Sequence, residues 1–211
     1  MATWNDWFVS AKSRKVALEK FLIIDQDQDL KRLYSSGLPC FDLIILNGNE
    51  YNSKKAKSFI SKYPLVWTRV VDKKKNKRQS RLGMKSFGEF KEFIESLGFD
   101  LENSKVQLYE MEENEFGGNV ISSQKETLIE IAFGLQDIVA KSTEPFFHGK
   151  INGAGRLEFT EKETPQKVFE ASMRVLSYLK KSRGEFLEGY FEFTVSKKGK
   201  VFFLDYKTSF K

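Results

Sequence analysis

Apolar residues fall into two patterns along this chain. Short runs of branched and aromatic residues, bounded by Gly, Pro, Asn or Asp, predict strands; apolar residues three and four apart predict helices. Residues 21–24 (Phe-Leu-Ile-Ile) read as a short buried strand. Residues 25–29 read as a loop and helix cap leading into a helix at 30–34, and residues 35–39 as a turn. Residues 42–46 form the next strand, ended by Asn47-Gly48-Asn49. Ala56, Phe59 and Ile60 stand at helical spacing within 53–62, and Pro64 stops that helix. Residues 65–71 are again strand-like. Ser86 is placed to cap a helix at 87–97, with Phe87, Phe90, Phe93, Ile94 and Leu97 on its apolar face and Gly98 at its end. Residues 105–111 alternate as a strand. An acidic loop at 112–115 is closed by Gly117-Gly118, and residues 119–123 and 127–132 follow as paired strands. Residues 146–159, dotted with glycine, hold a strand or a loop. Thr164-Pro165 opens a last helix, with Val168, Ala171, Met173, Val175, Leu176 and Leu179 on its buried side.

The C-terminal pattern is the most informative. Residues 189–207 (GYFEFTVSKKGKVFFLDYK) are two apolar-aromatic runs around a Lys-Gly turn, the signature of a hairpin. A two-residue loop at Lys198-Gly199 sets Phe193 opposite Leu204, Val195 opposite Phe202 and Phe191 opposite Tyr206. The other face then has Glu192 opposite Asp205, with Tyr190, Thr194 and Lys207 beside them. A four-residue loop offsets the acids by two positions on the same face. A three-residue loop mixes the faces, so the pattern argues against it. Facing like charges destabilise a ladder. They make sense if a cation lies between them, and magnesium takes one or two carboxylates plus substrate phosphates. Two acids on the solvated face of an edge hairpin are the plainer alternative.

Composition narrows the classes. The 211 residues suit one large domain or two closely packed lobes, and 40% hydrophobic and 14% aromatic content describe a folded protein. No apolar run approaches a membrane span and the N-terminus has no signal-peptide core, so a cytoplasmic protein is the default. The one cysteine, Cys40, excludes an internal disulfide and a cysteine-rich metal site, and it reads as a core thiol. For the one histidine, His148, nothing in the sequence orders a catalytic relay. A net charge of +6 favours anionic partners: nucleotides, nucleic acid or acidic metabolites. The basic run at 73–81 is a solvated hairpin tip, a flexible loop closing over phosphates, or a nucleic-acid contact. Rossmann and P-loop fingerprints are absent, as are zinc-finger and RNA-binding-sheet motifs.

Several stretches resemble the ATP-grasp superfamily. Tyr63-Pro64-Leu65-Val66-Trp67-Thr68-Arg69 and the helix at 87–97 are similar to its first strand and helix. Residues 106–113 are similar to its hinge strand with an acidic turn, 117–131 to its Gly-Gly turn and paired strands, and 189–207 to its terminal hairpin. The resemblance implies an α+β, two-lobed architecture with antiparallel sheets and packed helices around a nucleotide cleft. Its parts would be an N-terminal segment at 1–50, standing where the family has a larger substrate domain, a smaller lobe at 51–104 and a C-terminal lobe at 105–211. It further implies an ATP- and magnesium-dependent ligase that activates a carboxylate, of a small molecule or a peptide, as an acyl phosphate for attack by an amine or other nucleophile. Glu192 and Asp205 would bind the metal. Arg69 would reach the nucleotide phosphates under a flexible loop at 73–83 that includes Arg81, and Glu110, Met111 and Glu113 would meet adenine and ribose. Lys207 stands where the family usually has Asn, and the arginine that usually follows is missing, with Ser209 near its place. A protonated lysine cannot ligate a metal, but it can pair with phosphate as a point charge. The alternative function is a non-catalytic nucleotide- or nucleic-acid-binding protein that uses the basic run at 73–81.

Overall fold

The computed structural model describes residues 26–72, 74, 77–123, 126–134, 146–181 and 184–208. The strand expected at 21–24 lies outside them. In chain order the elements are α1 (Gln26–Ser35), β1 (Leu43–Asn47), α2 (Lys54–Lys62), β2 (Val66–Asp72), β3 (Lys77–Met84), α3 (Phe87–Ser96), β4 (Ser104–Glu110), β5 (Asn114–Ser122), β6 (Thr127–Phe133), β7 (Phe146–Ile151), β8 (Leu157–Phe159), α4 (Gln166–Leu179), β9 (Gly189–Ser196) and β10 (Val201–Lys207). Helices and antiparallel sheets are thus mixed, the α+β class expected from the sequence. Among the described residues, no helix is long and apolar enough to cross a membrane.

The described chain divides into two compact units, one of residues 41–112 and one joining the segment up to Cys40 to the chain from Glu113 onward. This division differs from the expected one. The strand β4 was grouped with the C-terminal lobe, but it pairs with both β1 and β2. It is an inner strand of the 41–112 unit, whose four-stranded sheet runs β1-β4-β2-β3.

In that unit β2 alternates buried and half-buried positions, as a strand with one covered face must. Val66 and Val70 pack with Val106 and Leu108 of β4 and with Ala56, Phe59, Ile60, Phe90 and Ile94 from α2 and α3. Both helices begin at a serine cap: Ser53 Oγ accepts the Ala56 N–H at 3.3 Å, and Ser86 Oγ, the cap expected from the sequence, accepts the Glu89 N–H at 3.2 Å. The basic run is corrected here. Its second half is not a loop: Lys77–Met84 is the edge strand β3, which pairs with β2. Residues 77–82 are all exposed, so a charged face on an unpaired edge replaces the expected flexible cover.

The second unit is built on a six-stranded antiparallel sheet, β10-β9-β5-β6-β7-β8. One face is greasy. Val120, Ile129, Ile131, Phe191, Phe193 and Phe203 pack with Val168, Ala171, Val175, Leu176 and Leu179 of α4. Pro165 is the cap residue of α4 rather than its first helical residue. Two further expectations are corrected. Asp29 lies inside α1, not in a preceding loop, and α1 packs on β10. Gly117-Gly118 is not a turn; both glycines lie in mid-strand, opposite Ala132 and Ile131. A Cβ on Gly118 would run into the Glu130 carbonyl and the Phe193 ring, so the glycine serves close approach of neighbouring chains. The glycine-dotted stretch at 146–159 resolves into the β7–β8 hairpin.

Candidate active site

The terminal hairpin brings Glu192 and Asp205 together by a route the sequence did not reveal. Its tip is the three-residue loop Lys197-Lys198-Gly199, closed by Ser196 N–H to the Lys200 carbonyl at 2.8 Å. Gly199 takes the left-handed conformation, φ 78°, that such a tip needs. The register is therefore Val195 opposite Val201, Thr194 opposite Phe202 and Phe193 opposite Phe203, which corrects the expected partners Phe202 and Leu204. Carried on unchanged, this register would place Asp205 on the greasy face. A bulge between Phe203 and Asp205 absorbs Leu204 as an extra residue and restores the faces. Beyond it Glu192 faces Asp205, Phe191 faces Tyr206 and Tyr190 faces Lys207.

The pairing continues across the sheet. Glu192 is opposite Asn119, Asn119 opposite Glu130, and Glu130 opposite His148. Asp205, Glu192, Asn119, Glu130 and His148 therefore form one row on the face away from the aromatic core. Asn119 and Glu130 are buried, at 4% and 2% exposure, so this is not a washed surface. The Tyr190 hydroxyl lies 2.9 Å from Asn119 Oδ1 and 3.0 Å from Glu192 Oε1. It has one hydrogen and so serves one acceptor at a time. Burial, followed by the Glu192 charge, pushes its pKa well above the ordinary tyrosine value and keeps it a donor.

Lys207 sits at the edge of this row. Its Nζ is 2.9 Å from Asp205 Oδ2 and 5.4 Å from the centre of the Tyr190 ring. Asp205 Oδ1 accepts the Tyr206 N–H at 2.9 Å. Burial works to lower the Lys207 pKa, but Asp205, with Glu192 and Asp29 adding to it, holds the ammonium above the usual lysine value. At the far end His148 is bracketed by carboxylates. Nε2 is 3.0 Å from Glu130 Oε1, Nδ1 is 2.8 Å from Glu161 Oε1, and the His148 N–H donates to Glu161 Oε2 at 2.9 Å. The bond to Glu130, opposed by burial and reinforced by Glu161, raises the imidazole pKa.

The other candidates divide between the two units. Arg69, Arg81, Glu110 and Met111 belong to the 41–112 unit; Glu113 belongs with Glu192, Asp205 and Lys207. The Arg69 guanidinium stacks 4.7 Å from the Trp67 ring, which in turn stacks on Tyr109 at 4.4 Å. Arg81 is on β3, opposite Thr68. Glu110 Oε2 accepts the Asp42 N–H at 3.3 Å, and the Met111 N–H donates to the Leu65 carbonyl. Glu113 is held by Lys197 Nζ at 2.8 Å, an exposed pair at the hairpin tip. Burial pushes the Cys40 thiol up to about 11, which disfavours the thiolate that a nucleophile needs.

The residues missed from the sequence are Tyr190 as a hydrogen-bond hub, Asn119, Glu130, His148 and Glu161. Glu130 did carry a signal, as a charged residue inside the apolar run at 127–132, and Asn119 a weaker one, as a polar residue opening the run at 119–123.

The donor set suits a hydrated hard cation. Among the described residues no cluster of three or more His, Cys, Asp or Glu side chains could enclose a metal, which rules against a cage built from protein alone. Two facing carboxylates are what magnesium uses when water and phosphates complete its shell.

No family model matches the chain, and no curated protein matches it. Solved structures do. The ATP-grasp ligase PsnB complexed with precursor peptide PsnA2 and AMPPNP is similar over 99% of this chain and 64% of its own, with 12% identity and a TM-score of 0.43. A Chryseobacterium gregarium RiPP-associated ATP-grasp ligase is similar over 89% and 52%, with 14% identity and a TM-score of 0.46. The D-alanine-D-alanine ligase of Coxiella burnetii is similar over 87% and 47%, with 12% identity and a TM-score of 0.44. This chain spans about half the length of most of the solved structures it matches. At these identities and TM-scores the likeness does not assign activity, substrate or site. ATP-grasp ligases are among the solved structures to which this α+β chain is similar.

Proposed function

We propose that this protein binds ATP with magnesium and acts as a carboxylate ligase. The observation that carries the reading is the facing pair Glu192–Asp205, set in a row of polar residues across an otherwise apolar sheet, with Lys207 against it. Facing carboxylates are unfavourable in a ladder unless a positive charge joins them. Glu192 and Asp205 would hold the magnesium ion, which would neutralise phosphate charge. Tyr190 orients Glu192 by donating to it, and it turns to Asn119 when that oxygen is engaged. Lys207 offsets further phosphate charge beside them, and Glu113, of the same unit, contributes to nucleotide binding. In the reaction, a carboxylate oxygen of the acceptor attacks the γ-phosphorus and ADP leaves. An amine or other nucleophile then attacks the acyl carbon and inorganic phosphate leaves. Catalysis is mainly positioning and charge neutralisation. The protein operates in the cytoplasm, on a small-molecule or peptide carboxylate.

The test is thermal unfolding with ATP and magnesium, added separately and together. The wild type is stabilised by the pair, while Glu192→Ala and Asp205→Ala each lose most of that shift. No stabilisation of the wild type by ATP with magnesium rejects the reading.

A second reading rests on the exposed basic stretch 77–82 of β3. It is a non-catalytic nucleic-acid or nucleotide contact through Lys74, Lys77, Arg78 and Arg81. It predicts affinity for a single-stranded oligonucleotide that falls steeply with salt and with neutralisation of these residues. Absent or salt-insensitive binding rejects it.

A further inference from the structure

The Lys207 ammonium lies 2.9 Å from Asp205 of β10, which faces Glu192 of β9, and α1, the helix that carries Asp29, packs on β10. Asp205 is engaged at both oxygens, by Lys207 and by the Tyr206 N–H. Asp29 is 6% exposed. Its Oδ1 is 2.9 Å from Arg32 Nη1, and its buried Oδ2 has no hydrogen-bond partner. Burial, and after it the Asp205 charge, pushes the Asp29 carboxyl up, while Lys207 and Arg32 oppose this. The Lys207 and Asp205 side chains are 19% and 24% exposed, so their attraction is weakly screened.

Two-metal phosphoryl-transfer sites place their ions about 3.5–4 Å apart and share carboxylates between them. Here a tethered ammonium already occupies contact distance from Asp205. Asp205, an acid that would recruit a second ion, holds that ammonium instead. We propose that Lys207 is the resident cation of this face, standing in for a second divalent ion, so that the site loads one metal ion per bound nucleotide. The inference rests on the magnesium-nucleotide reading above. It explains how a lysine, which cannot ligate a metal, serves beside two carboxylates that can. The ammonium is permanent and arrives with the fold. Only the second positive centre depends on metal concentration.

The experiment counts ions. Manganese, a paramagnetic stand-in for magnesium, is titrated into protein saturated with a non-hydrolysable ATP analogue, and free manganese is read by electron paramagnetic resonance. The wild type and Lys207→Arg, which keeps the cation, bind one ion per nucleotide. Lys207→Asn, which frees Asp205 and adds an oxygen ligand, binds two. Two ions on the wild type, or one on a folded Lys207→Asn, overturn the inference while leaving nucleotide binding intact. No nucleotide-dependent ion on the wild type rejects the underlying reading and this inference with it. If Lys207→Asn fails to fold by circular dichroism, the wild-type count alone decides.

Discussion

Glu192 and Asp205 face each other because two irregularities of the hairpin cancel. The three-residue tip shifts the register by one, and the bulge at Leu204 shifts it back. The pair is nevertheless asymmetric. Asp205 holds the Lys207 ammonium at 2.9 Å, whereas among the described residues Glu192 accepts from the neutral Tyr190 hydroxyl.

That asymmetry predicts opposite effects on the unliganded protein. Glu192→Gln keeps an acceptor for Tyr190 and removes a like charge facing Asp205, so it stabilises by about 0.5 kcal/mol. Asp205→Asn leaves a largely buried ammonium without its anion and costs about 1–3 kcal/mol. Chemical denaturation without metal or nucleotide checks both signs. Equal destabilisation by the two variants would contradict the asymmetry.

Gly118→Ala should destabilise by about 1–3 kcal/mol, since its Cβ meets the Glu130 carbonyl, which cannot move without disturbing the ladder. Gly153→Ala is the control. Nothing lies within 4 Å of a Cβ there, so a change within about 0.5 kcal/mol is expected. Midpoints of urea unfolding compare the two.

His148 sets a pH window. Its folded pKa is raised, so the stability it adds is fully present below the unfolded value near 6.5 and is lost as pH rises through the folded value. Glu161 works from the other side. Burial alone would raise its pKa, but the bonds from His148 outweigh it and lower the value. Its contribution is therefore present above the unfolded value of 4.5 and fades as pH falls through the folded one. The stability difference between wild type and His148→Gln should peak between these limits and shrink on both sides. As the one histidine of the chain, His148 gives a single imidazole signal whose titration by nuclear magnetic resonance reports the folded pKa directly. A midpoint at or below 6.5 would refute the bracketed geometry.

Cys40 should be slow to alkylate. With its thiol near 11, about one molecule in ten thousand is thiolate at pH 7. The rate with iodoacetamide should climb about tenfold per pH unit from 7 to 9 and match that of an unhindered thiol only after denaturation. A fast reaction at pH 7 would show that the thiol is not shielded as described.

The fold of this chain was legible mainly where the chain is periodic. Strand alternation, serine caps and the greasy face of 189–207 are local properties, and each survives in the structure with shifts of a residue or so. The facing of Glu192 and Asp205 was legible as well, although the turn inferred for it was wrong. Sequence pattern limits which residues share a face; it does not say how many irregularities the chain uses to get there. The glycines at 117 and 118 misled for a related reason. A glycine can signal a turn or a close approach, and only the neighbouring strand tells which.

What the sequence by itself determined is the set of elements, the mixed α+β class and the carboxylate pair of the last hairpin. All of these follow from spacing along one strand or helix. Tertiary structure alone decided the rest. It set β5, β6 and β7 beside β9, and so lined up Asn119, Glu130 and His148 with Glu192. It also packed α1 against β10, which brought the buried Asp29 into the field of Lys207. The physical reason is that strand order and helix docking depend on contacts between residues far apart in the chain. Lys207 and Asp29 are 178 positions apart, and no local pattern connects them.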